Sequence, residues 1–388
     1  MFIDLVGFGI ILPLLPFIAE KFSANALQIG LLGAAYSLFQ FISAPILGRL
    51  SDRYGRKRTL IVSQLGSMAG YILLGVAGSL PLLFLSRIID GATGGNISIA
   101  QAYIADVTTT KDRAKGMGVI GAAFGLGFIL GPAIGGLLSK FGFAAPAFFA
   151  AAVSLVTVTA TALFLKETVN TEAARHSPRS RFNLQEFKKV ISIYPMGLLI
   201  VVFFLANLAF SGMQGTFALW AQDTLGWGPT QIGYIFAYIG VLAVITQLKI
   251  LPVFIKHFGE KLTLKLSLPL LALGLLLIPL ARYSWALLLI SNGLLVFGNS
   301  LANPTIQAIA SENVDKNEYG GTLGFLQSGA SLGRILGPAI GGELYFALGK
   351  DTPFYSSGAI MILASIIVTY KLVSTPSLWQ RLARTFAH

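Results

Sequence analysis

Apolar residues run along this chain in blocks of about 20, each ended by charge or by turn residues. A block of that length is what an α-helix needs to cross the hydrocarbon core of a bilayer. The blocks fall near 2–21, 26–50, 58–78, 80–107, 112–140, 144–166, 192–222, 229–257, 260–281, 284–311, 317–348 and 352–373. The pattern therefore predicts an all-α membrane protein with twelve transmembrane helices. The one long polar stretch, Lys166 to Lys189, divides the spans six and six. The predicted organisation is an N-terminal bundle over 1–166, a linker over 167–191 and a C-terminal bundle with a short tail over 192–388. Composition agrees: 11% of the 388 residues are charged and 55% are hydrophobic, where a soluble domain carries about 25% charged residues.

The two halves repeat each other in their letters. Gln28-Ile29-Gly30 returns as Gln231-Ile232-Gly233, and Tyr54-Gly55-Arg56-Lys57-Arg58-Thr59-Leu60 as Phe258-Gly259-Glu260-Lys261-Leu262-Thr263-Leu264. The eight residues from Ile129 to Gly136 reappear unchanged from Ile335 to Gly342. A duplicated bundle of this kind places a transported substrate near the midplane, between the repeats.

Charge sets the orientation. The stretch Gly48-Arg49-Leu50-Ser51-Asp52-Arg53-Tyr54-Gly55-Arg56-Lys57-Arg58 packs five cations into eleven residues, and each would cost about 2.5–3.5 kcal/mol at mid-bilayer. It is a loop at a membrane surface, and the positive-inside rule makes that surface cytoplasmic. The formal net charge is +12. Lys21, Lys140, Arg282 and Lys350 fall on the other side and Arg87, Lys249 and Arg334 within spans; the remaining Lys and Arg fall in cytoplasmic loops or near the C-terminus. That asymmetry predicts contact with anionic lipid and two cytoplasmic termini; it is not a nucleic-acid footprint. Asp4 lies so near the start that a short lead ahead of Met1 is expected. The first apolar run has no basic n-region and reads as a span rather than a cleavable signal.

The absence of cysteine excludes disulfides and thiolate chemistry, and His176, His257 and His388 fall in predicted loops or at the terminus, so no metal is expected. No P-loop is present, and Gly125-x-Gly127 inside a span is not a nucleotide motif. No cofactor is expected. No nucleophile–base constellation falls within the spans, which disfavours an enzyme.

Polar residues inside spans are the remaining candidates, because a membrane interior tolerates them only in a bundle interior or a wet cavity. Asp4 is expensive when ionised there and is a candidate to carry a proton. In the fourth span Arg87, Asp90, Gly91, Gly94, Ser98 and Gln101 recur at helical spacing on one predicted face, and Arg87 and Asp90, at i and i+3, can pair. In the second half the stripes hold amides instead: Asn207 and Gln214 in the seventh span, Asn299 and Asn303 in the tenth. Phe124, Phe128, Tyr234 and Tyr238 are candidate apolar walls. Arg334, near the middle of the eleventh span, either binds an anionic group or neutralises an interior acid.

The basic loop resembles the G-x-L-a-D-r-x-G-r-k signature of the major facilitator superfamily, and the layout resembles its fold of two pseudo-symmetric six-helix halves. The resemblance implies a cytoplasmic gate at Gly48, Asp52, Gly55 and Arg56. Asp52 would accept hydrogen bonds from amides around Tyr319 and Gly320 or from Arg113. Gly127, Gly131, Pro132, Gly135 and Gly136 resemble the motif of the superfamily's antiporter branch. Arg87 to Gly94, then Ala102 to Asp106, are similar to the bacterial tetracycline/proton antiporters. Those pumps carry titratable residues where Ala243 and Leu271 stand here, so the wider drug/proton antiporter group is the family implied. The implied protein exports small amphipathic compounds in exchange for protons, as a monomer in the bacterial inner membrane, with Asp4, Arg87 and Asp90 coupling the proton. The alternatives are a sugar or lipid transporter on the same fold and a non-transporting receptor.

Overall fold

A computed structural model describes residues 2–108, 113–168, 194–312 and 319–372, without the side chains at 2, 3, 105, 113–122, 124, 125, 128 and 311–323. Every regular element among them is helical. They are α1 (Phe2–Ile11), α2 (Leu15–Glu20), α3 (Ala26–Tyr54), α4 (Arg56–Gly75), α5 (Leu80–Thr93), α6 (Asn96–Val107), α7 (Arg113–Leu138), α8 (Ala144–Phe164), α9 (Met196–Leu225), α10 (Pro229–Ile245), α11 (Leu251–Leu277), α12 (Trp285–Glu312), α13 (Tyr319–Leu348) and α14 (Thr352–Lys371). Among the described residues, six helical segments are long and apolar enough to cross a membrane: Ala26–Tyr54, Ala144–Phe164, Met196–Leu225, Pro229–Leu277, Trp285–Ala310 and Thr352–Lys371.

Contacts divide the chain into two compact units. One holds residues 1–181, 214–241 and 338–350; the other holds 182–213, 242–337 and 351–388.

In the first unit, α1 passes through a 3-10 turn at Leu12–Leu14 into α2, because Pro13 and Pro16 cannot donate to the helical ladder. Ile10, Ile11, Leu14, Leu32, Leu83, Ala147 and Ala150 pack into its core. The backbones of α1 and α7 touch: a Cβ at Gly131 would stand 2.7 Å from the Gly9 Cα, and one at Gly127 2.8 Å from the Leu5 Cβ. Small residues at this spacing let two membrane helices approach to backbone contact. Asn25 starts α3 with a capping box, accepting from the Gln28 amide at 2.9 Å while the Gln28 side chain accepts from the Asn25 amide at 3.0 Å.

The predicted fourth span is not one helix. It breaks at Gly94–Gly95, between α5 and α6. Irregular backbone at membrane depth needs partners from the protein, and α3 and α4 supply them. Gln40 Nε2 donates to the Gly94 carbonyl at 3.1 Å and Ser43 Oγ to that of Gly91 at 3.0 Å, while Ser63 Oγ donates to that of Thr93. The continuous polar face expected from Arg87 to Gln101 is therefore corrected. Ser98 donates to Gly95 at 2.8 Å, and Gln101 is exposed. Periodicity ran through the break because two glycines interrupt a helix without altering the apolar count.

The end of this unit away from the Gly48–Arg58 turn gathers parts distant in sequence. Here each Gly-Pro-x-x-Gly-Gly copy meets the other half's Gln-Ile-Gly copy. A Cβ at Gly233 would lie 2.6 Å from the Pro132 carbonyl and 3.0 Å from the Gly136 Cα, and one at Gly30 would strike the Pro338 carbonyl. Thr230 Oγ1 donates to the Gly136 carbonyl at 3.1 Å, Gln222 Nε2 to Glu20 at 2.9 Å and the Tyr345 hydroxyl to Asp223 at 2.6 Å.

In the second unit, α11 packs on α12 and α14. A Cβ at Gly274 would stand 2.7 Å from the Leu295 Cα. Thr246–Ile250, between α10 and α11, is a π-helical turn, and α11 bends at Gly259, whose φ of +71° a residue with a side chain rarely adopts. That bend falls where the predicted eighth and ninth spans meet.

Candidate functional site

Two polar clusters sit inside the first unit. The first gathers α1, α4, α5 and α8. Arg87 Nη1 donates to Asp90 Oδ2 at 3.1 Å, and the two residues are 3% and 2% exposed, so the i, i+3 pairing read from the sequence is present and buried. The Arg87 guanidinium lies 5.9 Å from the centre of the buried Tyr71 ring. Among the described residues its Nε and Nη2 find no acceptor. Ser67, one helical turn before Tyr71, reaches Asp90. On α1, Asp4 accepts from Gln64 Nε2 at 3.3 Å, and the Thr157 hydroxyl of α8 reaches the same carboxylate. Two acids and one arginine thus share a space walled by Tyr71 and by the close contact of Gly70 on Asp90, where a Cβ would stand 3.0 Å from the Asp90 Cβ.

The sequence reading missed Gln64, Ser67, Tyr71 and Thr157. The signal was there: Ser63, Gln64, Ser67 and Tyr71 follow one another at steps that share a helix face. Without a formal charge the stripe drew no notice.

The second cluster surrounds the α3–α4 turn. Gly55, at φ +102°, ends one helix and starts the next; only glycine adopts that backbone without strain, and a Cβ would also run into Glu167. The turn aims Arg56, 8% exposed, back along α3. Its Nη1 pairs with Asp52 at 2.5 Å and donates to Ser51 Oγ at 2.6 Å; its Nε pairs with Asp106 at 2.9 Å. Asp52 is 58% exposed. Glu167 accepts from the Arg56 amide at 2.8 Å and Thr168 Oγ1 donates to Asp106 at 3.1 Å, which ties the turn to the end of α6 and to the segment after α8. Asp106, unassigned by sequence reasoning, pairs with the Arg56 guanidinium, and Glu167, also unassigned, holds the Arg56 backbone amide. Gly48 has open space where a side chain would stand. The Arg113 side chain lies outside the described residues, as do those of Phe124 and Phe128.

Of the remaining candidates, Asn207, Asn299 and Asn303 come together in the second unit: Asn207 Nδ2 donates to Asn303 Oδ1 at 3.4 Å, and Asn303 Nδ2 to Asn299 Oδ1 at 2.9 Å. Arg334 Nη2 donates to Ser331 Oγ at 2.9 Å. Gln214, Tyr234 and Tyr238 belong to the first unit; Tyr234 is exposed, Gln214 and Tyr238 are half-buried.

A family model described as Major Facilitator Superfamily matches residues 1–282 and 250–385, and the chain belongs to that family. It is 33% identical to the class C tetracycline resistance protein of Escherichia coli over 349 residues, 89% of this chain and 87% of that one. It is 31% identical to multidrug resistance protein 2 of Bacillus subtilis over 369 residues, 94% and 91% of the two chains. Among solved structures, the human organic anion transporter TETRAN is 25% identical, with a TM-score of 0.72 over 95% of this chain and 96% of that one. The nucleoside transporter NupG shares the fold at a TM-score of 0.79 and 14% identity, covering 96% of this chain and 98% of that one. The chain is thus a multi-pass membrane transporter, and its relatives are not enzymes.

Proposed function

We propose that this protein exports small amphipathic compounds in exchange for protons, by alternating access of two six-helix halves, 1–166 and 192–388, joined by residues 167–191. The observation that carries this reading is the buried cluster of Asp4, Gln64, Tyr71, Arg87 and Asp90. A carboxylate kept from bulk water beside an arginine and amide donors has partners for both its charged and its neutral form. Asp4, which accepts from the Gln64 amide and the Thr157 hydroxyl, is the proton carrier, and Arg87 and Asp90 hold the field around it. The relatives named for tetracycline and multidrug resistance support export of drug-like compounds.

Asp52, Arg56, Asp106 and Glu167 form the cytoplasmic gate. Arg56 is the buried member of this set and its three acids are exposed; Asp52, whose side chain is 58% exposed, is the one that exchanges partners as the gate works. Both termini face the cytoplasm of a bacterial inner membrane, and the protein works as a monomer.

The test uses purified protein in liposomes with an imposed pH gradient and a drug-like dye. Dye movement that follows the sign of the gradient, and that Asp4→Asn abolishes while leaving the melting temperature intact, is the expected result. Gradient-driven movement undiminished in Asp4→Asn would remove Asp4 from the coupling role.

A further inference from the structure

Gln64 of α4 is 2% exposed, and the fold treats its two amide atoms differently. Nε2 donates to Asp4 Oδ2 at 3.3 Å. Oε1, equally cut off from water, receives no hydrogen bond among the described residues. A buried oxygen with no donor is a state that native interiors rarely keep. Methionine would fill a similar volume and leave no polar atom stranded. The idle oxygen points to a second state of the molecule, in which a donor stands beside it.

Asp4 supplies that donor. A charged carboxylate accepts hydrogen bonds and gives none, whereas a protonated one carries an O–H that needs an acceptor. The terminal torsion of glutamine is soft and roughly two-fold, so the carboxamide can bring Oε1 to Asp4 while α4 stays in place. Thr157 of α8 has the same two-sided character. Its hydroxyl has one proton and two acceptors, the Asp4 carboxylate and the Val153 carbonyl of its own helix at 3.0 Å. With Asp4 charged, the hydroxyl serves the carboxylate; with Asp4 neutral, it returns to Val153. Gln64 and Thr157 can thus both follow the charge on Asp4 without leaving a donor stranded.

We propose that Gln64 Oε1 is the acceptor for the proton that Asp4 carries. Gln64 is then a positioning residue of the exchange: it holds the loaded carboxyl by its O–H and the empty one by its negative oxygen. The proton bonds to a carboxylate oxygen of Asp4 on uptake and leaves from that atom on release, and Gln64 itself stays neutral. The other charged and titratable groups acting on Asp4 are the α-amino group, Tyr71 of α4 and Asp90 of α5. Asp90, itself an acceptor, is held by Arg87 and Ser67. Among the described side chains, α7 and α8, which pack on α1, bring no such group. This assignment rests on the reading of Asp4 as the proton carrier given above.

The experiment records infrared difference spectra of the full chain in liposomes between acid and alkaline pH. Gradient-driven movement of a drug-like dye and melting temperatures are measured on the same variants. Expected in the parent is a carbonyl band of protonated Asp4, identified by its loss in Asp4→Asn. A side-chain amide band of Gln64 accompanies it and is lost both in Asp4→Asn and in Gln64→Met. In Gln64→Met the Asp4 band is expected at higher frequency, because its O–H has lost its acceptor. Dye movement in that variant falls at least tenfold at an unchanged melting temperature. Gln64→Glu, which has both a donor and an acceptor when protonated, is expected to recover part of the movement at acid pH. An Asp4 band without the amide band in the parent, or one unmoved in Gln64→Met, overturns the Gln64 assignment and leaves the export reading standing. Paired bands with no gradient-driven movement of the dye sustain the assignment and overturn export. Absence of any Asp4 band takes the proton off Asp4, and the Gln64 assignment falls with it. Should Gln64→Met fail to fold, the paired bands of the parent and their joint loss in Asp4→Asn decide the matter.

Discussion

Arg87 and Asp90 show what a buried ion pair costs and what it is for. Each carries its charge with almost no exposure, so removing one partner strands the other. Arg87→Ala leaves Asp90 an uncompensated carboxylate, a loss of about 3–5 kcal/mol. Replacing both residues by leucine removes both desolvation penalties and is expected to restore most of that stability. Melting temperatures in detergent check the stability order: parent near the double leucine variant, Arg87→Ala well below. Transport separates the roles. The double variant is expected to remain inactive, because a refilled core supplies no field to hold a proton on Asp4. Active transport by that variant would make the pair purely structural. This residue-level site was half legible. Formal charges inside apolar spans advertise themselves, whereas Tyr71, Gln64 and Thr157 are residues that many membrane helices carry as ordinary packing. Only three-dimensional proximity to the acids picks them out.

At the scale of elements, the break between α5 and α6 and the far-end contacts were invisible for different reasons. The break leaves the apolar pattern intact, and its stabilisers stand on other helices. Gln40 lies 54 residues from the carbonyl it serves. Gln40→Leu would leave the Gly94 carbonyl without that donor, a cost of about 1–3 kcal/mol, seen as a lowered melting temperature. Gln40→Asn, too short to reach, is expected to resemble the leucine variant. The repeated Gln-Ile-Gly and Gly-Pro-x-x-Gly-Gly letters were legible as a duplication, but not that each copy packs on the other half's partner motif. Sequence symmetry says that parts are alike, not which parts touch. Because the chain has no cysteine, the pair Glu20→Cys and Gln222→Cys offers a clean cross-link where Gln222 now donates to Glu20. Gly233→Val in that background puts methyl groups where the Pro132 carbonyl stands, and overpacking of this kind costs about 1–3 kcal/mol. The cross-linking rate is expected to fall several-fold; an unchanged rate would mean that the glycine contact does not hold this end together.

At the scale of the whole molecule, the distribution of charge predicts how the membrane potential drives the cycle. The first unit holds the interior acids Asp4 and Asp90. In the exchange proposed above a proton on Asp4 moves inward as the exported compound moves outward. For one-to-one exchange with an anion both steps carry charge in the same electrical direction, so a monovalent anion moves two charges per cycle. A neutral substrate moves one and a monovalent cation none. At about 2.3 kcal/mol per charge per 100 mV, an inside-negative potential of that size contributes about 4.6 kcal/mol to export of an anion and nothing to export of a cation. Liposomes clamped with potassium and valinomycin, with the pH equal on both sides, isolate this effect. Export of a neutral or anionic dye is expected to accelerate as the interior is made negative and to slow when the sign is reversed, while export of a monovalent cation is indifferent to it. For a neutral or anionic dye, a rate indifferent to the potential is incompatible with one proton entering as one dye molecule leaves.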